Sequence, residues 1–180
     1  MITGLERIAQ NKLKYPESKH LNLIHYVNVE NLKGAYKRIN GKKATGTDKV
    51  SKDEYGKDLE ANLNQLVARM KTFSYRPQPT KRVYIPKAGS NKLRPLGIPS
   101  FEDKLVQNIM ADVLSEIYEP IFYDFSYGFR KDRDCHKAIE HLSEMIHRNK
   151  VNYIVDADIK GFFDNVDHKI LMKFLRKEIG

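Results

Sequence analysis

Val155-Asp156-Ala157-Asp158-Ile159-Lys160-Gly161-Phe162-Phe163-Asp164-Asn165-Val166-Asp167-His168 gathers four carboxylates and a histidine within fourteen positions. The apolar run Tyr153-Ile154-Val155 leading into it reads as a buried strand, and Gly161 as a turn toward a helix near Ile170-Leu171. Carboxylates crowded at the carboxyl end of such a strand repel one another unless a divalent cation or a cationic partner stands among them. Asp167 precedes the helix and suits its N-cap, while Asp164 suits either the turn or a site. Asp158 follows the apolar run directly, which leaves two readings for it, a metal ligand or a carboxylate satisfied by a salt bridge.

Composition sets the surroundings of this stretch. One hundred and eighty residues, 41% of them hydrophobic, suffice for one compact domain or two small lobes. A formal net charge of +9 points to a polyanionic partner, nucleic acid before a membrane surface. No apolar run approaches the roughly 20 residues of a spanning helix, and no signal-like apolar core opens the chain, so a cytoplasmic protein is expected. Cys135 is the only cysteine and has no second Cys or His pair at zinc-site spacing, so it reads as a packed helix residue.

Upstream lie a helical region and a hairpin. Leu32, Ala35, Tyr36 and Ile39 share one face of a helix over Val29 to Ile39 that ends near Gly41. The stretch from Gly41 to Asp48 spaces two glycines like a phosphate loop, but Thr47 and Asp48 stand where Lys and Ser/Thr are required, which excludes an NTPase loop. Ser51 and Glu54 form a capping box, and Leu59, Leu63, Leu66 and Met70 carry a long helix to about Thr72. Arg82 to Lys87 and Lys92 to Pro99 read as two strands around an Ala88-Gly89-Ser90-Asn91 turn, with Pro86, Pro95 and Pro99 confining them to an exposed edge. Lys81, Arg82, Lys87, Lys92 and Arg94 give the hairpin its charge. Lys87 and Arg94, on paired strands near the turn, are expected to converge on one anion, whereas Lys92 suits the blocking of an edge.

Past the hairpin, Ser100 and Asp103 cap a helix through Leu105, Ile109, Val113 and Ile117. Six aromatics then fall between Tyr118 and Phe129. Beside Arg130, Lys131 and Arg133 they could stack bases, but a cluster so dense is expected to be core. Ala138, Ile139, Leu142, Met145 and Ile146 define a last full helix, on which His141 and His147 are expected to be solvated.

Taken in order, these blocks resemble the reverse transcriptases encoded by bacterial group II introns, the intron maturases. Thr47-Asp48-Lys49-Val50-Ser51 is similar to the family's extra N-terminal block, Arg82 to Pro99 to its first polymerase block, Tyr127-Gly128-Phe129-Arg130 to its second and Asp158 to His168 to its third. The resemblance implies an α+β fold of right-hand polymerase fingers over 1–150, mostly helical with an antiparallel hairpin, and the start of the palm, with its strand, over 151–180. It implies Asp158 and the Ile159 carbonyl as ligands of Mg2+, two ions in a complete site, with Asp158 catalytic. It implies Lys87 and Arg94 as the triphosphate grip, Gly161 and Phe162 as backbone against the triphosphate, and Phe163 as the ring beneath the sugar. Lys81, Arg82, Lys92, Arg130 and Arg133 would contact nucleic acid.

The implied activity is RNA-directed DNA synthesis from deoxynucleoside triphosphates on an RNA template with a DNA or RNA primer. Intron RNA would be a partner for splicing and mobility, and a dimer is possible through the hairpin edge. Two features depart from the family pattern. Lys49 stands where the family has Gly, and the chain reaches Gly180 before any Tyr-Ala-Asp-Asp block, so a fragment that binds RNA without polymerising alone is expected. The competing readings are a non-catalytic RNA-binding module and a retron, diversity-generating or defence-type reverse transcriptase.

Overall fold

The computed structural model describes residues 4–87, 89 and 91–180. They fall into two compact units: residues up to Gln10 with Asn22–Glu116, and Asn11–Leu21 with Ile117–Gly180.

The first unit is built on helices α1 (Glu6–Lys14, to Gln10), α2 (Val29–Arg38), α3 (Lys52–Gly56), α4 (Leu59–Lys71) and α5 (Phe101–Tyr118, to Glu116). The starts of α2, α3 and α5 are set by short polar side chains that satisfy otherwise orphaned amides. Asn28 accepts from the Asn31 amide at 2.9 Å, Ser51 from Glu54 at 3.1 Å, and Ser100 from Asp103 at 3.1 Å. The apolar faces that follow these caps meet in one core. Leu32, Leu63, Leu66, Leu105 and Ile109 are fully buried there, and Tyr55 and Phe101 pack ring against ring at 5.1 Å. Ion pairs stitch the helices at the margin: Arg38 to Asp112, Lys33 to Glu60 and Arg69 to Glu102.

Strands β1 (Lys81–Pro86) and β2 (Leu93–Ile98) pair antiparallel in a two-stranded sheet, so the fold is α+β with the expected hairpin. Within its turn, Ala88 and Ser90 lie outside the described residues. Two anchors fix the base of the hairpin. The buried Asp103 carboxylate accepts from the Tyr75 hydroxyl and from the Gln78 amide, at 3.1 Å for the amide. From the other side the 44–48 loop comes in, with Thr47 Oγ1 donating to the Pro79 carbonyl at 2.9 Å and Lys104 Nζ to the Ala44 carbonyl at 2.7 Å. At the end of that loop Lys49 adopts φ 59°. The loop therefore keeps the left-handed turn that a glycine would take, despite carrying a lysine there.

The second unit carries α6 (Cys135–Arg148) and α7 (His168–Glu178). Its segment Asn11–Leu21 is tied to the end of α7. Lys12 Nζ bonds both the Glu178 carboxylate and the Pro16 carbonyl, the His20 amide donates to the Glu178 carbonyl at 2.7 Å, and the Gly180 amide to the His20 carbonyl at 3.2 Å. Asp167 caps α7 as expected, accepting from Lys169 and Ile170 at 2.7 and 3.2 Å.

Several expectations are corrected in this unit. Tyr153-Ile154-Val155 forms no strand, and Tyr153 and Val155 are 90% and 89% exposed. A strand is a ladder of hydrogen bonds with a neighbour, and among the described residues no strand lies beside this run. The aromatics of 118–129 are not a core: Tyr123, Phe125 and Phe129 are 72%, 67% and 108% exposed. Cys135 is exposed rather than packed, as the first residue of α6, where side chains point back to the loop. His141 is not solvated, because its Nδ1 meets the Tyr127 hydroxyl at 2.7 Å. No helix among the described residues is long and apolar enough to cross a membrane.

Candidate functional site

In the hairpin, register decides which charges share a face. Ile85 stands opposite Arg94 and Pro86 opposite Leu93, and beyond them the Lys87 amide donates to the Lys92 carbonyl at 2.9 Å. Alternation along β1 therefore puts Lys81, Val83, Ile85 and Lys87 on one side, with Lys92, Arg94, Leu96 and Ile98 opposite them. Lys87 and Arg94 are diagonal neighbours on that face, about 7–8 Å apart between Cα atoms. Lys87 and Arg94 thus place a point charge and a charged fork on one face near the turn, an arrangement suited to an anion. Arg82 and Tyr84 fall on the opposite face, both exposed.

The same register explains the prolines. Hydrogen-bonded pairs alternate with open ones along an antiparallel ladder, and the Lys87–Lys92 bond makes the Pro86–Leu93 and Tyr84–Pro95 pairs open. Each proline thus lacks only an N–H that would have pointed away from the partner strand.

In the second unit, Asp158 lies exposed three residues after Val155, with Ile159 70% exposed beside it. Gly161 then turns the chain at φ 61°, a conformation that a side chain resists. Its carbonyl accepts from the Asp164 amide at 3.1 Å and from Asn165 Nδ2 at 2.7 Å, closing a single 3-10 turn over Phe163–Asn165. Phe162 and Phe163 stand edge to face at 5.4 Å, with Phe163 84% exposed. Asp158, Ile159, Gly161, Phe162 and Phe163 are therefore placed together on one short, accessible loop.

Arg130 and Arg133 have other duties. The Arg130 side chain is 5% exposed and forks onto Glu119, with contacts of 2.7, 3.1 and 3.2 Å. Its remaining terminal nitrogen donates to the Tyr123 and Ser126 carbonyls at 2.7 and 2.9 Å. The guanidinium beside Glu119 holds that carboxyl below the ordinary carboxylate range. Arg133 bonds the Asp124 carbonyl and lies over the Tyr127 ring at 5.3 Å. The sequence carried no signal for Glu119, since it sits in a short 3-10 turn and Arg130 in the loop that follows, and no shared helix or strand relates the two.

With this geometry in place, comparison with known proteins decides the family. A family model described as reverse transcriptase (RNA-dependent DNA polymerase) matches residues 85–178, more than half of the chain and spanning β2, the Tyr127–Arg130 loop and the Asp158 loop.

The chain belongs to the reverse transcriptase family.

Among relatives, group II intron-encoded protein LtrA of Lactococcus lactis subsp. cremoris is 35% identical over 97% of this chain and 29% of its own length. Protein YkfC of Escherichia coli is 36% identical over 78% of this chain and 37% of its own length. Nuclear intron maturase 1, mitochondrial, of Arabidopsis thaliana is 29% identical over 45% of this chain and 11% of its own length. The chain thus spans well under two thirds of these relatives.

Reverse transcriptases work with divalent metal ions. Such a cation takes about six oxygen ligands, drawn from one or two carboxylates, waters and substrate phosphates, and a pair of ions needs several carboxylates between them. Among the described residues, no group of three or more His, Cys, Asp or Glu side chains could hold a metal. Asp158 and the Ile159 carbonyl could offer at most two oxygen ligands, and the described residues do not by themselves fit a two-metal reverse transcriptase centre.

Proposed function

We propose that this chain supplies the nucleotide grip and the first acidic ligand of an RNA-directed DNA polymerase encoded by a group II intron. The observation that carries the reading is the shared face of Lys87 and Arg94, which the register of β1 and β2 fixes without help from any side-chain rotamer. The likeness to LtrA over nearly the whole chain supports it.

In this reading residues 1–150 act as fingers and 151–180 open the palm. Lys87 and Arg94 grip the triphosphate of an incoming deoxynucleotide, the Gly161-Phe162 backbone lies against it, and Phe163 lies beneath its sugar. Asp158 and the Ile159 carbonyl contribute ligands to Mg2+, with other ligands required from outside the described residues. The reaction joins a primer 3'-oxygen to the α-phosphorus with departure of pyrophosphate. Lys81, Arg82 and Lys92 contact nucleic-acid phosphates, and intron RNA is the partner in splicing and mobility. Arg130 and Arg133 instead hold their own loop.

The test is primer extension on an RNA template with Mg2+. It compares the 180-residue chain with a chimera in which the chain is followed by the part of LtrA beyond the matched stretch. Synthesis by the chimera that disappears with Asp158→Asn, while RNA affinity persists, supports the reading. Synthesis that survives Asp158→Asn removes the ligand role. RNA binding without synthesis in either protein favours a binding module.

A further inference from the structure

Between α5 and α6 the chain turns three side chains inward and leaves three rings outside. Arg130 is sequestered by Glu119 and two carbonyls, Tyr127 is held by His141 at 2.7 Å, and Arg133 is tied to Asp124. Amid these anchors Phe129 takes φ 57° and is fully exposed. A left-handed backbone is uncommon and costly for a bulky residue, and a ring with no cover makes no contact in the chain that offsets it. Such outliers point toward function. In the same loop Tyr123 and Phe125 lie nearly parallel, 5.0 Å apart at 7°, and both are mostly exposed.

We propose that this loop is a stacking platform for unpaired bases of single-stranded nucleic acid, with Phe129 and the Tyr123–Phe125 pair as its contact surfaces. The inference rests on the reading that the chain handles nucleic acid. Three features favour bases over an apolar protein partner. Glu119 and Asp124 are paired with arginines and Asp134 caps α6, so the loop's charges are largely balanced and its rings are what it offers. Gly128 has open space where a Cβ would stand, which lets a sugar-phosphate strand come close. The chain's charge of +9 supplies phosphate attraction from elsewhere, leaving the loop the sequence-tolerant work of stacking.

The experiment titrates a short fluorescein-labelled oligouridine with the 180-residue chain and with Phe129→Ala, Tyr123→Ala and Phe129→Leu, at several salt concentrations. Equal thermal midpoints serve as the folding control. Each variant is expected to bind roughly tenfold more weakly at every salt concentration, with an unchanged salt slope, because stacking is lost and phosphate contacts are kept. The sequence contains no tryptophan, so Phe129→Trp introduces a unique indole whose emission is expected to be quenched by unlabelled oligouridine. Unchanged affinity in both alanine variants, full affinity in Phe129→Leu, or an unquenched indole overturns the platform while leaving the polymerase reading in place. Failure of the unsubstituted chain to bind the oligonucleotide overturns the platform and the RNA-binding part of that reading together.

Discussion

Gly46 lies against the backbone of Ser100, so that a Cβ at position 46 would stand 2.7 Å from both the Ser100 Cα and its amide nitrogen. The obstacle is main chain at the start of α5, which cannot swing aside. With the Thr47–Pro79 bond, this contact sets the 44–48 loop on the base of the hairpin. Gly46→Ala is expected to lower stability by about 1–3 kcal/mol, the usual cost of overpacking a closed site. Urea unfolding measures it, and faster amide exchange in β1 and β2 locates it. An unchanged midpoint would mean that the loop lifts away freely.

Three residues further along the chain, Lys49 occupies a glycine-like conformation at φ 59°, and it is exposed. Its side chain gains little there, while its backbone carries the left-handed penalty. Lys49→Gly is expected to stabilise the fold by about 1 kcal/mol, the relief of that penalty less the greater freedom of glycine in the unfolded chain. Chemical denaturation of the two proteins checks the sign.

His20 is buried, and its Nε2 has no hydrogen-bond partner. Burial first, then the Lys12 cation, holds its pKa below 6.5, with Glu178 pulling weakly the other way. The unfolded chain therefore takes up a proton near pH 6.5 while the folded ring still refuses it. Stability from this group is intact above pH 6.5 and declines as the pH falls below it, until the folded ring protonates as well. His20→Gln is expected to flatten that part of the stability profile. Unfolding midpoints measured from neutral to mildly acidic pH compare the two slopes.

Arg94 offers a charged fork on the face it shares with Lys87. In a polymerising chimera, Arg94→Ala is expected to raise KM for deoxynucleotides about tenfold or more, since a charge-assisted bond to phosphate is worth about 1.5–3 kcal/mol. Arg94→Lys is expected to recover part of the loss. Steady-state kinetics separates this from a folding defect, which would lower kcat and leave KM unmoved.

What the sequence made legible was mostly local. The cap of Ser51 on Glu54, the cap by Asp167, and the Pro-punctuated hairpin all follow from side chains acting on their own or facing backbone. The Ser100–Asp103 pair was half legible. Ser100 caps as its spacing suggests, but the Asp103 carboxylate reaches Tyr75 and Gln78, partners no helical period names. Tyr153 to Val155 failed as a strand because β propensity says that a run can pair, not that a neighbour is present. The rings of 118–129 were misread for a related reason. Aromatic density signals a large apolar surface, and anchors such as the Glu119–Arg130 fork, which density does not show, determine which way that surface faces.

The bond from Lys12 to Glu178 joins residues 166 positions apart. During synthesis on the ribosome, the Asn11–Leu21 segment therefore emerges long before the helix end that receives it. Until α7 is complete it must wait without its Glu178 and Gly180 partners, while the caps and core of the first unit can already form. The second unit is thus the late-closing part of the chain. A tag or truncation that disturbs the first twenty residues will be felt at the last helix as well as at the first.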